Sequence, residues 1–71
     1  MSKYITYDVI HIITNECKIS EYGIRVDEDA IFGGMEKGKG LVFIGDTIIN
    51  ARDIKLVRRY DYGFKGLEII L

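Results

Sequence analysis

Leu41-Val42-Phe43-Ile44-Gly45-Asp46-Thr47-Ile48-Ile49-Asn50 is the stretch on which the fold turns. Two apolar, β-favouring runs flank a Gly-Asp pair, and Gly supplies the positive φ that a two-residue hairpin loop demands. A tight hairpin is predicted here. Both of its faces are apolar, whereas an antiparallel pair with one wet face alternates apolar and polar positions. Either the rest of the chain curls over the second face or a second copy covers it. Leu41, Phe43, Ile48 and Ile49, with Ile69 and Leu71 of the apolar C-terminal run, are the residues expected to self-associate.

Outward from the hairpin, the pattern stays that of strands. Tyr4 to Thr14 alternates, and Ile5, Tyr7, Val9, His11 and Ile13 form the more apolar set, expected to face the core. Asn15-Glu16 breaks it, and a weaker strand runs from Lys18 to Val26 with Gly23 in its middle. On the C-terminal side Asn50 to Asp53 reads as a turn, Ile54 to Tyr60 as a strand, Asp61 to Gly66 as a turn and Leu67 to Leu71 as a closing strand. Composition agrees. Thirteen Ile, four Val, three Thr, five Tyr and three Phe stand against two Ala and four Leu. β-branched and aromatic side chains suit a pleated sheet better than a helix. The expectation is one small, mainly β domain over residues 1–71, with five to six short strands in an SH3-like antiparallel barrel or a strongly curved sheet. At most one or two helical turns interrupt it, at Ala30 to Phe32, where Asp27-Glu28-Asp29 is positioned to cap and Gly33 to terminate.

Size and charge exclude several function classes. Seventy-one residues with a net charge of −1 are too few for two lobes and too acidic for a polybasic nucleic-acid module. No apolar run approaches the roughly 18 residues of a membrane span, and the N-terminus lacks a signal-peptide core, so a cytoplasmic protein is expected. A single Cys and a single His supply neither a disulfide nor a four-ligand zinc site, and no cofactor or metal is expected. His11 and Cys17 lack a third orienting group, so no catalytic residue is assigned. His11 reads as a packed histidine and Cys17 as a small buried hydrophobe. The Ile excess with little Ala suits an AT-rich bacterial or phage genome, and a phage or mobile-element accessory protein is the expectation.

Two segments carry the binding expectations. Gly33, Gly34, Lys37, Gly38, Lys39 and Gly40 lie in what reads as one mobile loop, whose N–H groups and lysines would cradle a phosphate or nucleotide. The pattern lacks the Lys-Ser/Thr pair of an NTPase loop. Residues 1–35 carry a net −3 and residues 36–71 a net +2. Within the basic half, Arg52, Lys55, Arg58, Arg59 and Lys65 interleave with Tyr60, Tyr62 and Phe64, a mixture that anchors protein interfaces and also stacks single-stranded nucleic acid. The functional expectation is a non-enzymatic protein that binds a macromolecule stoichiometrically, as an inhibitor or assembly factor does. A protein partner is favoured, and a nucleic-acid or nucleotide binder is the alternative.

Overall fold

A computed structural model describes residues 3–71. β1 (Tyr4–Ile13) and β2 (Lys18–Asp27) form a hairpin, and α1 (Glu28–Lys37) follows without a linker. The short strands β3 (Leu41–Ile44) and β4 (Thr47–Asn50) make the expected second hairpin. A 3-10 turn, Ala51–Asp53, then leads to β5 (Leu56–Asp61) and β6 (Lys65–Ile70). The fold is mainly β, in two sheets: a four-stranded sheet ordered β2-β1-β6-β5, and the separate β3-β4 pair. No barrel closes, and the sheet is not wholly antiparallel, because β1 and β6 run parallel. Parallel neighbours need a crossover, and here α1 and the second hairpin lie between the two strands in the chain.

The turns follow local chemistry. In the β1–β2 turn the Thr14 hydroxyl accepts from the N–H groups of Glu16 and Cys17 at 3.2 and 3.0 Å, and Thr14 N–H closes on Cys17 O at 2.9 Å. Cys17 is exposed in that turn, not buried as its residue type suggested. Gly45 is the one left-handed residue of the β3–β4 turn, at φ +57°, as a type II′ turn requires.

β1 departs from simple alternation. Tyr7 pairs with Ile24 and Val9 with Tyr22, while Gly23, between those partners, sits at φ +62°. Across this irregularity the buried positions of β1 step from Tyr7 to Ile10 and Ile12. The inward set is therefore Tyr7, Ile10 and Ile12, and His11 and Ile13 turn to the opposite face.

The helix is the largest difference from expectation. It runs ten residues, through Gly33 and Gly34, and ends where Gly38 adopts φ +69°. Asp27 caps its start by accepting from the N–H groups of Asp29 and Ala30 at 3.1 and 3.4 Å. Glu28 and Asp29 in the first turn and Lys37 in the last complement the helix dipole. Two mid-helix glycines are costly on propensity alone. The fold explains one of them: a Cβ on Gly34 would sit 2.6 Å from the Cβ of Ala51, in the 3-10 turn packed against α1. Ile31, from the helix, joins Val42, Ile44, Ile49 and Ala51 against the inward sheet residues Ile10, Ile12, Leu67 and Ile69 in one core cluster. Helix and second hairpin thus cover one face of the four-stranded sheet.

The two glycines separate packing from propensity. Gly33→Ala meets nothing within 4 Å and should raise stability by about 0.5–1 kcal/mol. Gly34→Ala should lower it by at least ~1 kcal/mol despite the same propensity gain. Urea unfolding midpoints check both signs.

Candidate functional site

One carboxylate is buried among the described residues. Glu28, at the first position of α1, is 3% exposed. Tyr7 of β1 donates its hydroxyl to Glu28 Oε2, Arg59 Nη2 of β5 lies 3.5 Å from the same oxygen, and Lys3 Nζ lies 3.9 Å from Oε1. The Arg59 guanidinium also sits 5.6 Å over the ring of Phe32. Ile5, Tyr60, Asp61 and Lys65 complete the lining of a cleft of about 130 Å³ above this cluster. Within Asp27-Glu28-Asp29, Asp27 caps the helix as expected, and Glu28 faces inward. The spacing from Glu28 to Ile31 carried this signal, since positions three apart share a helical face.

The strand register divides the basic, aromatic segment. Arg59 pairs with Leu67, and Val57 with Ile69, so these residues share the covered face with the core. Leu56, Arg58 and Tyr60 point the other way, opposite Ile70, Glu68 and Gly66. Lys65 lines the Glu28 cleft, and its N–H donates to Asp8 Oδ2 at 2.8 Å. Lys55 borders a different cleft with Thr14, Glu16 and Leu71, while Arg52 is exposed on the 3-10 turn. The aromatic end stays together. Tyr60 and Tyr62 have ring centroids 6.2 Å apart, and a Cβ on Gly66 would meet both Phe64 and Tyr60 at 3.2–3.3 Å, so these rings shield the glycine. Tyr62 is the most exposed of the three, at 78%. A hydrogen bond to Glu68 and, secondarily, desolvation raise Tyr60 above the usual tyrosine range.

Two further expectations change. The glycine-rich segment is not a loop: Gly33, Gly34 and Lys37 are helical, and the N–H groups of Gly38 and Lys39 both bond to Gly34 O, at 2.8 and 3.2 Å. This is the C-terminal, electronegative end of a helix, which disfavours an anion. Lys39 and Gly40 then connect directly to β3. The self-association set also divides, because Ile49 and Ile69 are core residues and Leu71 is half-buried.

Leu41, Phe43 and Ile48 do form an exposed apolar surface, the last two at 61% exposure. Val42 and Ile44 point inward between them, as strand alternation requires. Beside this surface, Tyr4, Arg25, Asp27, Ala30, Leu41 and Phe43 line a cleft of about 340 Å³. Arg25 lies 4.8 Å over the Tyr4 ring, whereas both ion pairs of the described residues go to Glu28. The Asp27 carboxylate, two residues beyond Arg25 on the same strand, accepts from Lys3 N–H at 3.1 Å and from the helix N-terminus. Sequence reading did not single out Tyr4 or Arg25, which come next to the hairpin only through the β2–α1 corner.

No helix among the described residues is long and apolar enough to cross a membrane, and no group of three or more His, Cys, Asp or Glu among them is arranged to hold a metal ion. His11 Nδ1 lies 2.8 Å from Ser20 Oγ, a satisfied, half-buried histidine. No protein family, curated protein or solved structure matches the chain.

Tyr7 gives the buried cluster a pH signature. Burial, then the hydrogen bond to Glu28, pushes its hydroxyl up to about 12. The neutral form is the one the fold favours, so this contribution is complete below the unfolded value of about 10 and is lost as pH rises towards 12. The native chain should lose more stability over that interval than Tyr7→Phe does. At neutral pH, Tyr7→Phe should itself cost about 1–3 kcal/mol, because the Glu28 carboxylate loses a donor. Denaturant titrations of both chains at neutral and alkaline pH check the two signs.

Proposed function

We propose that this chain is a non-enzymatic binding module that engages a protein partner stoichiometrically, in the manner of an inhibitor or assembly factor. Its docking surface is the β3–β4 face with the adjoining cleft. The observation that carries the reading is the exposure of Leu41, Phe43 and Ile48 beside a concave, aromatic-walled cleft. Contiguous exposed apolar area next to a pocket is the anatomy of an interface hot spot. Charge narrows the partner. Arg25, held over Tyr4, is the cation of this cleft, while the Asp27 carboxylate is engaged by the backbone at the start of α1. A segment with an apolar side chain followed by an acidic group complements it, the apolar part between Leu41 and Phe43 and the acid on Arg25.

The test uses tagged native chain and three variants as baits in extracts of the source cell. Phe43→Asp disrupts the proposed surface, and Tyr62→Ala lies on the β5–β6 turn. The expected result is a partner held at one-to-one stoichiometry by the native chain and by Tyr62→Ala, with affinity at least tenfold weaker for Phe43→Asp and for Arg25→Glu. A partner retained by Phe43→Asp and lost by Tyr62→Ala overturns this placement. The nucleic-acid reading rests on Arg58 beside Tyr60, Tyr62 and Phe64, and oligothymidylate titration distinguishes it. Binding of that probe that weakens steeply between low and moderate salt would replace the protein-partner reading.

A further inference from the structure

Among the described residues, no helix or strand packs on the second face of the four-stranded sheet. Helix and second hairpin pack on the side of Ile10, Ile12, Leu67 and Ile69. The register places the opposite face in three cross-strand rows: Tyr22-Val9-Gly66-Tyr60, Ser20-His11-Glu68-Arg58 and Lys18-Ile13-Ile70-Leu56. Six of these twelve residues, namely Tyr22, Val9, Tyr60, Ile13, Ile70 and Leu56, are aromatic or aliphatic. They lie in the two outer rows, on either side of a wholly polar middle row, so this face is half apolar where a solvated sheet face is mainly polar. It is a surface to be covered.

We propose that a second copy of this chain covers it, packed face to face about a two-fold axis that runs parallel to the strands midway between β1 and β6.

The rows themselves select that occupant and that axis. Such an axis reverses strand order and keeps each row at its own height. β1 then lies over the partner copy's β6, and β2 over its β5. Ile13 meets Ile70 of the other copy, Lys18 meets Leu56, Tyr22 meets Tyr60, and Val9 lies over Gly66, which Tyr60 and Phe64 shield within their own copy. In the middle row His11 meets Glu68, and Ser20 meets Arg58. Each contact occurs twice, which is the self-complementarity that an isologous interface requires. The alternative face-to-face axis, across the strands, stacks Glu68 on Glu68 and Arg58 on Arg58, a like-charge arrangement that disfavours it. Four strands about 4.8 Å apart and three rows deep present roughly 600 Å² per copy once side chains are included. Doubled, this reaches about 1,200 Å², the lower bound for a stable interface. Aligned sheets pack in this manner with their inner side chains interdigitated. The β3–β4 face lies on the other side of each copy and remains free.

Sedimentation velocity on the native chain at about 100 μM should give twice the 8.1 kDa chain mass. Ile70→Lys, at a half-buried surface position, should give the single-chain mass with an unchanged circular-dichroism spectrum, and Phe43→Asp should remain a dimer. Crosslinking decides the axis without relying on a destabilising variant. In a Cys17→Ser background, an equimolar mixture of Ile13→Cys and Ile70→Cys chains should form a disulfide-linked pair on oxidation, and neither chain alone should do so. Three results each overturn the proposal: a native monomer at that concentration, dissociation by Phe43→Asp with Ile70→Lys still dimeric, or failure of the mixed pair to crosslink beyond the level of either chain alone.

Discussion

The Glu28 carboxylate is the constraint on which the arrangement rests. A buried charge is tolerated only when its attraction and hydrogen bonds replace lost hydration. Here the replacements come from three places in the chain: Lys3 ahead of β1, Tyr7 within it and Arg59 of β5. Satisfying one carboxylate therefore fixes the start of α1 against both the first hairpin and the last. With that end of the helix fixed and Asp27 capping it, Ile31 is carried onto the sheet and Gly34 onto the turn at Ala51. The position of the second hairpin follows, because it leaves the helix through Gly38 and Gly40 and returns through that turn.

This placement sorts the apolar side chains into three groups. One group is the core beneath α1 and β3–β4. The other two face outward on opposite sides, one on the hairpin at Leu41, Phe43 and Ile48, the other on the open sheet, where Tyr22 and Leu56 are exposed and Ile13 and Ile70 half-buried. A chain of 71 residues with no internal disulfide has little core from which to draw stability. In the dimer we propose, a second copy adds apolar burial on the open sheet and leaves the hairpin surfaces on the two outer sides. The proposed docking and the proposed self-association therefore call on different residues.

Legibility in the sequence followed the range of the interactions concerned. The β3–β4 hairpin could be read because turn and strand signals both lie within ten residues. That 56–60 lies in a strand is legible for the same reason, although not which of its faces turns inward. Gly33-Gly34 was misleading because local propensity favours a loop, whereas the contact that favours glycine at position 34 comes from Ala51, seventeen residues away. The candidate site was legible only in pieces. Leu41, Phe43 and Ile48 could be named as an exposed apolar set, but Tyr4 and Arg25 could not be joined to them before the β2–α1 corner was known. The twelve-residue open face was hidden for a similar reason, since it depends on the parallel pairing of the first and last strands.

By itself the sequence determined the mainly β character, the turns and the shortage of stabilising devices, because period-two patterning, β-branched composition and Gly positions act over a few residues. The tertiary structure alone decided that β6 returns parallel to β1, that Glu28 is buried, that the glycine segment is helical and which face of each strand meets water. Each of those outcomes depends on desolvation and packing between residues distant in the chain. The energy of such contacts exists only when the partners have been brought together, so no local pattern records it.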